Sequence, residues 1–334
     1  MNASRHNDDL SVPRSPRGRS WLRLLLAVGL FSACGASCPR SPPFAMPFAR
    51  ALPPAATLEQ VVAVVNANGA RIHSYHAPNA SIGITSVPLM PSLQSTIALE
   101  RPRRFRLRSQ LSGFTGPELD VGSNDELFWF WTKRNPSREL YFCRHEEYAT
   151  SLAPQIMPVE PDWLFEALGL TTLVPEEIVR GPEPVGVNRL ELRSLRQTAF
   201  GPLHRITLID ASSGWVVGEQ LFDESSRLLA SATMSGHRRD ETNNVTLPRR
   251  IEIQWPPTQM SLAIDIHELE INAPANERMW EQPHYDGFAN VDLADPHLRL
   301  QGPPRLEYEP EATGPQPVIV RKAPDGVWNR LWRR

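Results

Sequence analysis

Between Leu190 and Ile271 the chain alternates apolar and polar residues and is cut at short intervals by turn formers, and no other feature limits the fold so strongly. A period of two sends successive side chains to opposite faces of a strand. The rhythm predicts strands at Leu190 to Leu195, Leu203 to Asp210, Trp215 to Phe222, Leu228 to Met234, Arg249 to Trp255 and Met260 to Ile271. Between them lie Phe200-Gly201-Pro202, Ser212-Ser213-Gly214, Glu224-Ser225-Ser226, a polar loop at 236 to 244, and Pro256-Pro257. Connections this short force antiparallel neighbours. Ile251, Ile253 and Trp255 alternate cleanly with Glu252 and Gln254. In the last strand Met260, Leu262, Ile264 and Ile266 give way to Leu269 and Ile271, a phase slip at His267-Glu268 that predicts a bulge or corner.

The first half has more helix. Thr57-Leu58-Glu59-Gln60 has the form of a capping box, and Leu58, Val61, Val62, Val65 and Ile72 follow at helical spacing. Its valines weaken the intrinsic propensity, so packing must hold this helix. Segments 78 to 86 and 92 to 100 read as strands. Phe105, Leu107, Ser109 and Leu111 then alternate with Arg104, Arg106, Arg108 and Gln110, as in a half-buried strand with a wet outer face. Leu127 to Trp131 differs: Leu127, Trp129 and Trp131 fall on one face and Phe128 and Phe130 on the other, so this strand needs apolar cover on both sides. Glu146 to Leu152 reads as a short helix. Pro161 to Leu168, stopped by Gly169, reads as a stronger one that lies as a lid over a sheet face.

The expected fold is therefore mainly β (α+β): a curved antiparallel sheet of about ten or eleven strands with an N-terminal helix and a mid-chain helical lid. No strand-helix-strand repeat is present, which rules out a doubly wound parallel sheet.

The N-terminal segment carries Arg5, Arg14, Arg17, Arg19 and Arg23, then the apolar run Leu24 to Phe31, then Ser32-Ala33-Cys34. That is the order of a secretory signal peptide, and the run is far shorter than a spanning helix needs. Phe31-Ser32-Ala33-Cys34 resembles a bacterial lipobox, with Phe31 departing from the usual leucine. Lipidation would fall on Cys34; the alternative is cleavage nearby with Cys34 left as a thiol, and Ala36-Ser37-Cys38 is a weaker site. Acyl chains on Cys34 would anchor the protein without a spanning helix. Cys38 and Cys143 then remain, either paired in an oxidising compartment or with Cys143 a buried thiol. The expected organisation is a lipoprotein signal peptide over 1–33, a Pro/Ala-rich tether over 34–56, a β-rich domain over 57–275, and an extended, Pro-rich, disordered tail over 276–334. Val327 to Arg334, rich in Trp, Leu and Arg, reads either as an interfacial segment or as a frayed basic tail.

With a formal net charge of -2 and its Lys and Arg scattered among acids, the chain has no footprint for nucleic acid. It carries no nucleophile elbow, metalloprotease motif, phosphate-cradling loop or dinucleotide fingerprint, so no enzyme activity, catalytic residue, metal or cofactor is expected. Asp265 and His267 share a strand face and form a nominal acid-base pair, but they read better as the solvated face of an edge strand. His145 beside Glu146-Glu147 reads as an acidic helix start rather than a metal cluster. The nine Trp are more telling. They supply either a thick core or an apolar concavity sized for an acyl chain, for which Phe105, Leu107, Trp129, Trp131, Trp163, Phe165 and Trp255 are the candidate lining residues.

Four stretches resemble the LolA/LolB family of lipoprotein carriers and receptors: the opening helix Leu58 to Ile72, then Arg101-Pro102-Arg103-Arg104-Phe105-Arg106-Leu107, and Ile209-Asp210-Ala211-Ser212-Ser213-Gly214-Trp215 followed by Leu247-Pro248-Arg249-Arg250-Ile251-Glu252-Ile253. The resemblance spans roughly residues 55 to 275. It implies an unclosed β-barrel whose helices cover a hydrophobic hollow, with acyl chains of lipoproteins or other lipids as partners and no catalysis. With the anchor at Cys34, it implies a place in the bacterial cell envelope, facing the periplasm from the outer rather than the inner membrane. The alternative is a structural or stress-sensing lipoprotein that uses its barrel as a scaffold. The oligomeric state is not legible.

Overall fold

The computed structural model describes residues 50–300, apart from 87–89, 112, 114, 115, 199 and 200. The expected signal peptide, Cys34, Cys38 and the octet from Val327 lie outside the described residues.

The opening helix α1 (Leu58–Gly69) begins at a complete capping box: the Gln60 amide donates to Thr57 Oγ1, and the Thr57 amide donates to Gln60 Oε1 at 3.0 Å. Val61, Val62 and Val65 are buried. Ile72, expected in the helix, lies beyond its end but is also buried. Leu52, near the end of the expected tether, is buried too, and its amide and that of Ala51 both donate to the Ser212 carbonyl.

Six strands follow: β1 (Ser74–Ile84), β2 (Leu93–Glu100), β3 (Arg104–Gln110), β4 (Pro117–Ser123), β5 (Leu127–Thr132) and β6 (Glu139–Arg144). A helical insertion comes next, with a 3-10 turn at His145–Thr150, α2 (Ala153–Ile156), α3 (Trp163–Ala167) and a 3-10 turn at Pro175–Glu177. The second half contains β7 (Ile178–Pro184), β8 (Arg189–Thr198), β9 (Gly201–Asp210), β10 (Val216–Phe222), β11 (Leu228–Ser235), β12 (Arg238–Asp240), β13 (Val245–Leu247), β14 (Arg250–Trp255), β15 (Met260–Ile271) and β16 (Ala289–Asp292).

Fourteen strands form one large curved sheet, in the order β16-β6-β5-β4-β3-β2-β1-β15-β14-β11-β10-β9-β8-β7, that does not close into a barrel. The predicted hairpins are all present, and β4, β6, β7, β12, β13 and β16 are strands that the alternation does not predict. β12 and β13 pair as a separate hairpin within the polar loop. The β1–β15 ladder welds the two halves together. Its register shifts on both strands near Asn79 and Glu268, at the predicted phase slip. β15 is thus central rather than an edge strand, since β1 and β14 flank it. Asp265 pairs with Arg250 at 3.1 Å and His267 contacts Ser81 at 2.9 Å, so each faces its own cross-strand partner rather than the other.

Two expectations are corrected by residues 276–300. This stretch was expected in a disordered tail, yet β16 pairs in parallel with β6 and Trp280 is buried. The outer face of β3, expected to be wet, is covered by the same stretch: Arg106 Nη1 donates to the Met279 carbonyl at 2.9 Å, and Arg104 pairs with Glu277 at 3.2 Å. The buried Asp120 carboxylate is the physical cause. It accepts from Arg106 Nη2 at 2.6 Å, Trp129 Nε1 at 3.1 Å and Tyr285 Oη at 2.6 Å, and so pins the strap to the sheet.

Candidate functional site

Side-chain alternation in β9 directs Leu203, Arg205, Thr207 and Ile209 to the inner face. Arg205 is therefore a guanidinium on an otherwise core-facing row. On β10, Glu219 is also inward and stands opposite Thr207, one diagonal step from Arg205. The two meet at 2.6 Å with Glu219 fully buried, and Thr171 Oγ1 donates to Glu219 Oε1 at 2.8 Å. A third member comes from α3: Glu166 reaches Arg205 at 3.1 Å and Arg196 of β8 at 3.8 Å. Breaking such a buried set by removing one charge costs on the order of 3 to 5 kcal/mol.

The helix that supplies Glu166 is short, and its end is fixed by Gly169 at φ +95°, where a Cβ would meet Pro248 Cδ at 2.6 Å. The Leu170 amide donates back to the Phe165 carbonyl at 3.0 Å, closing the C-cap.

Beneath this insertion lies a cavity of about 500 Å³. Its roof is Pro154, Pro158, Val159, Glu160, Asp162, Trp163 and Glu166; its floor comes from β8 to β11, with Arg196, Leu203, Arg205, Leu221 and Leu229; Pro257 and Thr258 close one side. That volume lies within the range of small-molecule sites.

The charges within it are mostly satisfied among themselves. Arg196 pairs with Glu177 at 3.1 Å and Arg227 with Asp223 at 3.0 Å, besides the Arg205 pairs. Burial pushes the Glu166 carboxyl up to about 7; Arg205 holds it back and Glu219 adds to the rise. Burial opposes the charge on Arg205, but Glu219 and Glu166 outweigh it and hold its proton above the ordinary range. Two buried donors on the lining, Arg205 Nε and Trp163 Nε1, have no acceptor among the described residues. The cavity thus offers apolar walls, largely paired charge, two free hydrogen-bond donors and one free acceptor, Asp162 Oδ1, which suits an amphiphile with a polar head that both accepts and donates.

Of the seven residues expected to line a hollow, only Trp163 lines this one. Phe105, Leu107, Phe165 and Trp255 are packed in the main core, with Phe105 against Phe165 at 6.5 Å and Trp163 edge-on to Trp255 at 6.1 Å between ring centroids. Trp129 and Trp131 lie in a second cluster with Leu140, Tyr285 and Phe288. There Trp131 stacks on Tyr285 at 3.7 Å, and Trp129 sits over Gly122, where a Cβ would fall 2.0 Å from the ring. These two tryptophans are filled packing. Arg205, Glu219, Glu166 and Arg196 were missed; the available signal was one cation and one anion at inward positions of a single hairpin.

Among the described residues no group of three or more His, Cys, Asp or Glu is arranged to hold a metal ion, and no helix is long and apolar enough to cross a membrane. His145 is turned to the Asn124 carbonyl at 3.0 Å, away from a metal-type cluster with Glu146 and Glu147. Cys143 is a buried free thiol beside Ser151.

No protein-family profile matches the chain, and no curated protein does. Solved structures similar to it include a putative outer membrane lipoprotein-sorting protein domain from Vibrio parahaemolyticus, with TM-score 0.46 and 9% identity over 66% of this chain and 96% of that one. A LolA superfamily protein from Nitrosomonas europaea has TM-score 0.41 and 10% identity over 68% of this chain and 99% of that one. A DUF1329 family protein from Desulfovibrio piger has TM-score 0.44 and 9% identity, covering 67% and 96%.

Proposed function

We propose that this chain is a lipid-anchored envelope lipoprotein that binds an acyl chain, from a lipoprotein or another lipid, in the cavity beneath its helical insertion, and that it does so without catalysis. The observation carrying this reading is the cavity of about 500 Å³, with apolar walls from Val159, Trp163, Leu203, Leu221 and Leu229 and most of its charges already paired. An acyl chain gains from leaving water roughly in proportion to the area buried, and Arg205 Nε and Trp163 Nε1 offer donors to the ester or amide carbonyl at its head. The signal peptide and the lipobox ending at Cys34 support a periplasm-facing place on a membrane, and the outer membrane is the membrane we assign.

The test is titration of the purified protein with a diacylated lipopeptide, following tryptophan fluorescence and melting temperature together. Binding to the folded state must raise apparent stability by mass action. Leu203→Arg, which puts a charge on the cavity floor, should abolish the shift. If the lipopeptide shifts neither signal at about 0.1 mM, where micromolar binding would saturate, the barrel is a scaffold instead. Incorporation of labelled fatty acid that persists in Cys34→Ser would refute the anchor.

A further inference from the structure

A second, smaller recess is formed where the β12–β13 hairpin meets the end of β15; it has a volume of about 150 Å³ and is bounded by Arg238, Asp240, Leu247, Arg249, Leu269 and Ile271. Arg249 is held by its backbone, its amide donating to the Ser235 carbonyl at 3.1 Å and its carbonyl accepting from Ile266 at 2.7 Å. Its guanidinium is less settled. Nε and Nη1 are both buried and have no acceptor among the described residues. Tyr75, which pairs with Ile271 in the β1–β15 ladder and feels the Arg249 charge, is fully buried with its hydroxyl also unpartnered among the described residues. Burying a donor without an acceptor is costly, and native proteins rarely leave one so.

The carboxylate nearest to hand does not resolve this. Asp240 is engaged by its own turn, accepting from the Thr242 amide at 2.9 Å, the Asn243 amide at 3.2 Å and Asn243 Nδ2 at 2.8 Å. Arg238 is exposed at the mouth and adds a second cation. The recess therefore holds two guanidiniums and a single occupied carboxylate, in a space too small for a chain or a ring system. Guanidinium donors match the oxygens of phosphate in pairs.

We propose that this recess binds a phosphate-type oxyanion, held by Arg249 from within and Arg238 at the mouth. The same chemistry is presented by free phosphate and by a phospholipid headgroup.

The experiment titrates inorganic phosphate into the full chain carrying Cys34→Ser, so that no acyl anchor contributes, against sodium chloride at equal ionic strength. Calorimetry and melting temperature are read together. Phosphate should bind and stabilise where chloride does not. Arg249→Lys, which keeps the charge but loses the planar fork, and Arg238→Gln should each weaken binding at least about ten-fold, as loss of a charged hydrogen bond would. Arg250→Gln should bind as the unsubstituted protein does, since Arg250 is exposed and engaged by Glu252 and Asp265. The exposed position of Arg238 keeps the test valid if Arg249→Lys fails to fold. Phosphate behaving as chloride does, or unchanged titration in both variants, overturns the proposal. Cosedimentation with phosphatidylglycerol vesicles that phosphate displaces and Arg249→Lys abolishes would assign the headgroup as the source. Phosphate binding without cosedimentation would assign free phosphate. Cosedimentation that neither phosphate nor Arg249→Lys affects would count against the site.

Discussion

The outer face of β3 to β6 and the inner face of β8 to β11 each bury an arginine beside a carboxylate, and they use it in opposite ways. On the outer face Asp120 accepts from Arg106, Trp129 and Tyr285, and the strap from Glu277 to Asp292 seals the aromatic surface of Trp129 and Trp131. On the inner face Arg205 is shared by Glu219 and Glu166, and the insertion above it leaves about 500 Å³ open. The donors that meet on Asp120 are spent within the chain, although Trp131 Nε1 in the same cluster has no acceptor among the described residues. The second network leaves Arg205 Nε and Trp163 Nε1 without acceptors among the described residues. A buried ion pair thus marks neither a site nor a core by itself; what separates the two regions is whether the space beside the pair is filled, by Tyr285 and Phe288 on the outer face, or left open, as on the inner one.

The largest expected effect breaks the sealed region. Asp120→Ala leaves Arg106 buried without its carboxylate and deprives Trp129 and Tyr285 of an acceptor, so denaturant unfolding should show a loss of about 3 to 5 kcal/mol. Proteolysis should open first between residues 276 and 300, since the strap loses its central tie. A loss below about 1 kcal/mol would mean that the strap is held by apolar contact alone and that the contrast between the two networks is false.

The next effect sharpens the cavity side through pH. Glu166, at about 7 when folded against 4.5 ordinarily, binds its proton more tightly in the native state. Its contribution is fully present below pH 4.5 and is lost as pH rises through 7, by about 2 to 3 kcal/mol at most. His145 and His237 run the other way, because burial pushes both down and their contribution is lost as pH falls. The readout is therefore the difference in stability between the protein and Glu166→Gln from pH 4.5 to 8. A difference that does not change with pH would show that Arg205 keeps Glu166 ionised throughout.

How much of this was legible follows from what alternation can carry. The β8 to β15 meander, the capping box at Thr57, the Gly169 stop and the bulge near Glu268 were readable, because each is set by residues close in sequence. The need for cover on both faces of β5 was readable too, but not its source. Tyr285 and Phe288 sit in a Pro-containing stretch with no periodicity, and they reach Trp131 across more than a hundred residues of chain. The cavity was placed under the wrong aromatics for a related reason. A pattern tells which face a residue takes, whereas whether that face is filled depends on the insertion above it. The inward charges Arg205 and Glu219 were the one local sign of a polar-lined hollow, since a core-facing row rarely admits a charge without a partner.

The smallest effect compares two aromatic hydroxyl or indole donors whose removal should have opposite signatures. Tyr285→Phe deletes a hydroxyl that donates to the Asp120 carboxylate at 2.6 Å, a hydrogen bond to a charged group worth about 1.5 to 3 kcal/mol. Stability should fall by that amount and lipopeptide affinity should not change, since Tyr285 lies in the outer-face cluster. Trp163→Phe deletes an indole nitrogen that has no partner among the described residues, so the only stability cost is the smaller ring, about 1 kcal/mol or less if the neighbours close on it. Its affinity for a lipopeptide should nonetheless drop several-fold, because the donor it removes is one the cavity keeps for a ligand. Measured side by side, the two variants separate use within the fold from use on a ligand. Equal losses of stability with no change in affinity would place Trp163 with Tyr285 as packing and leave Arg205 as the cavity's sole free donor.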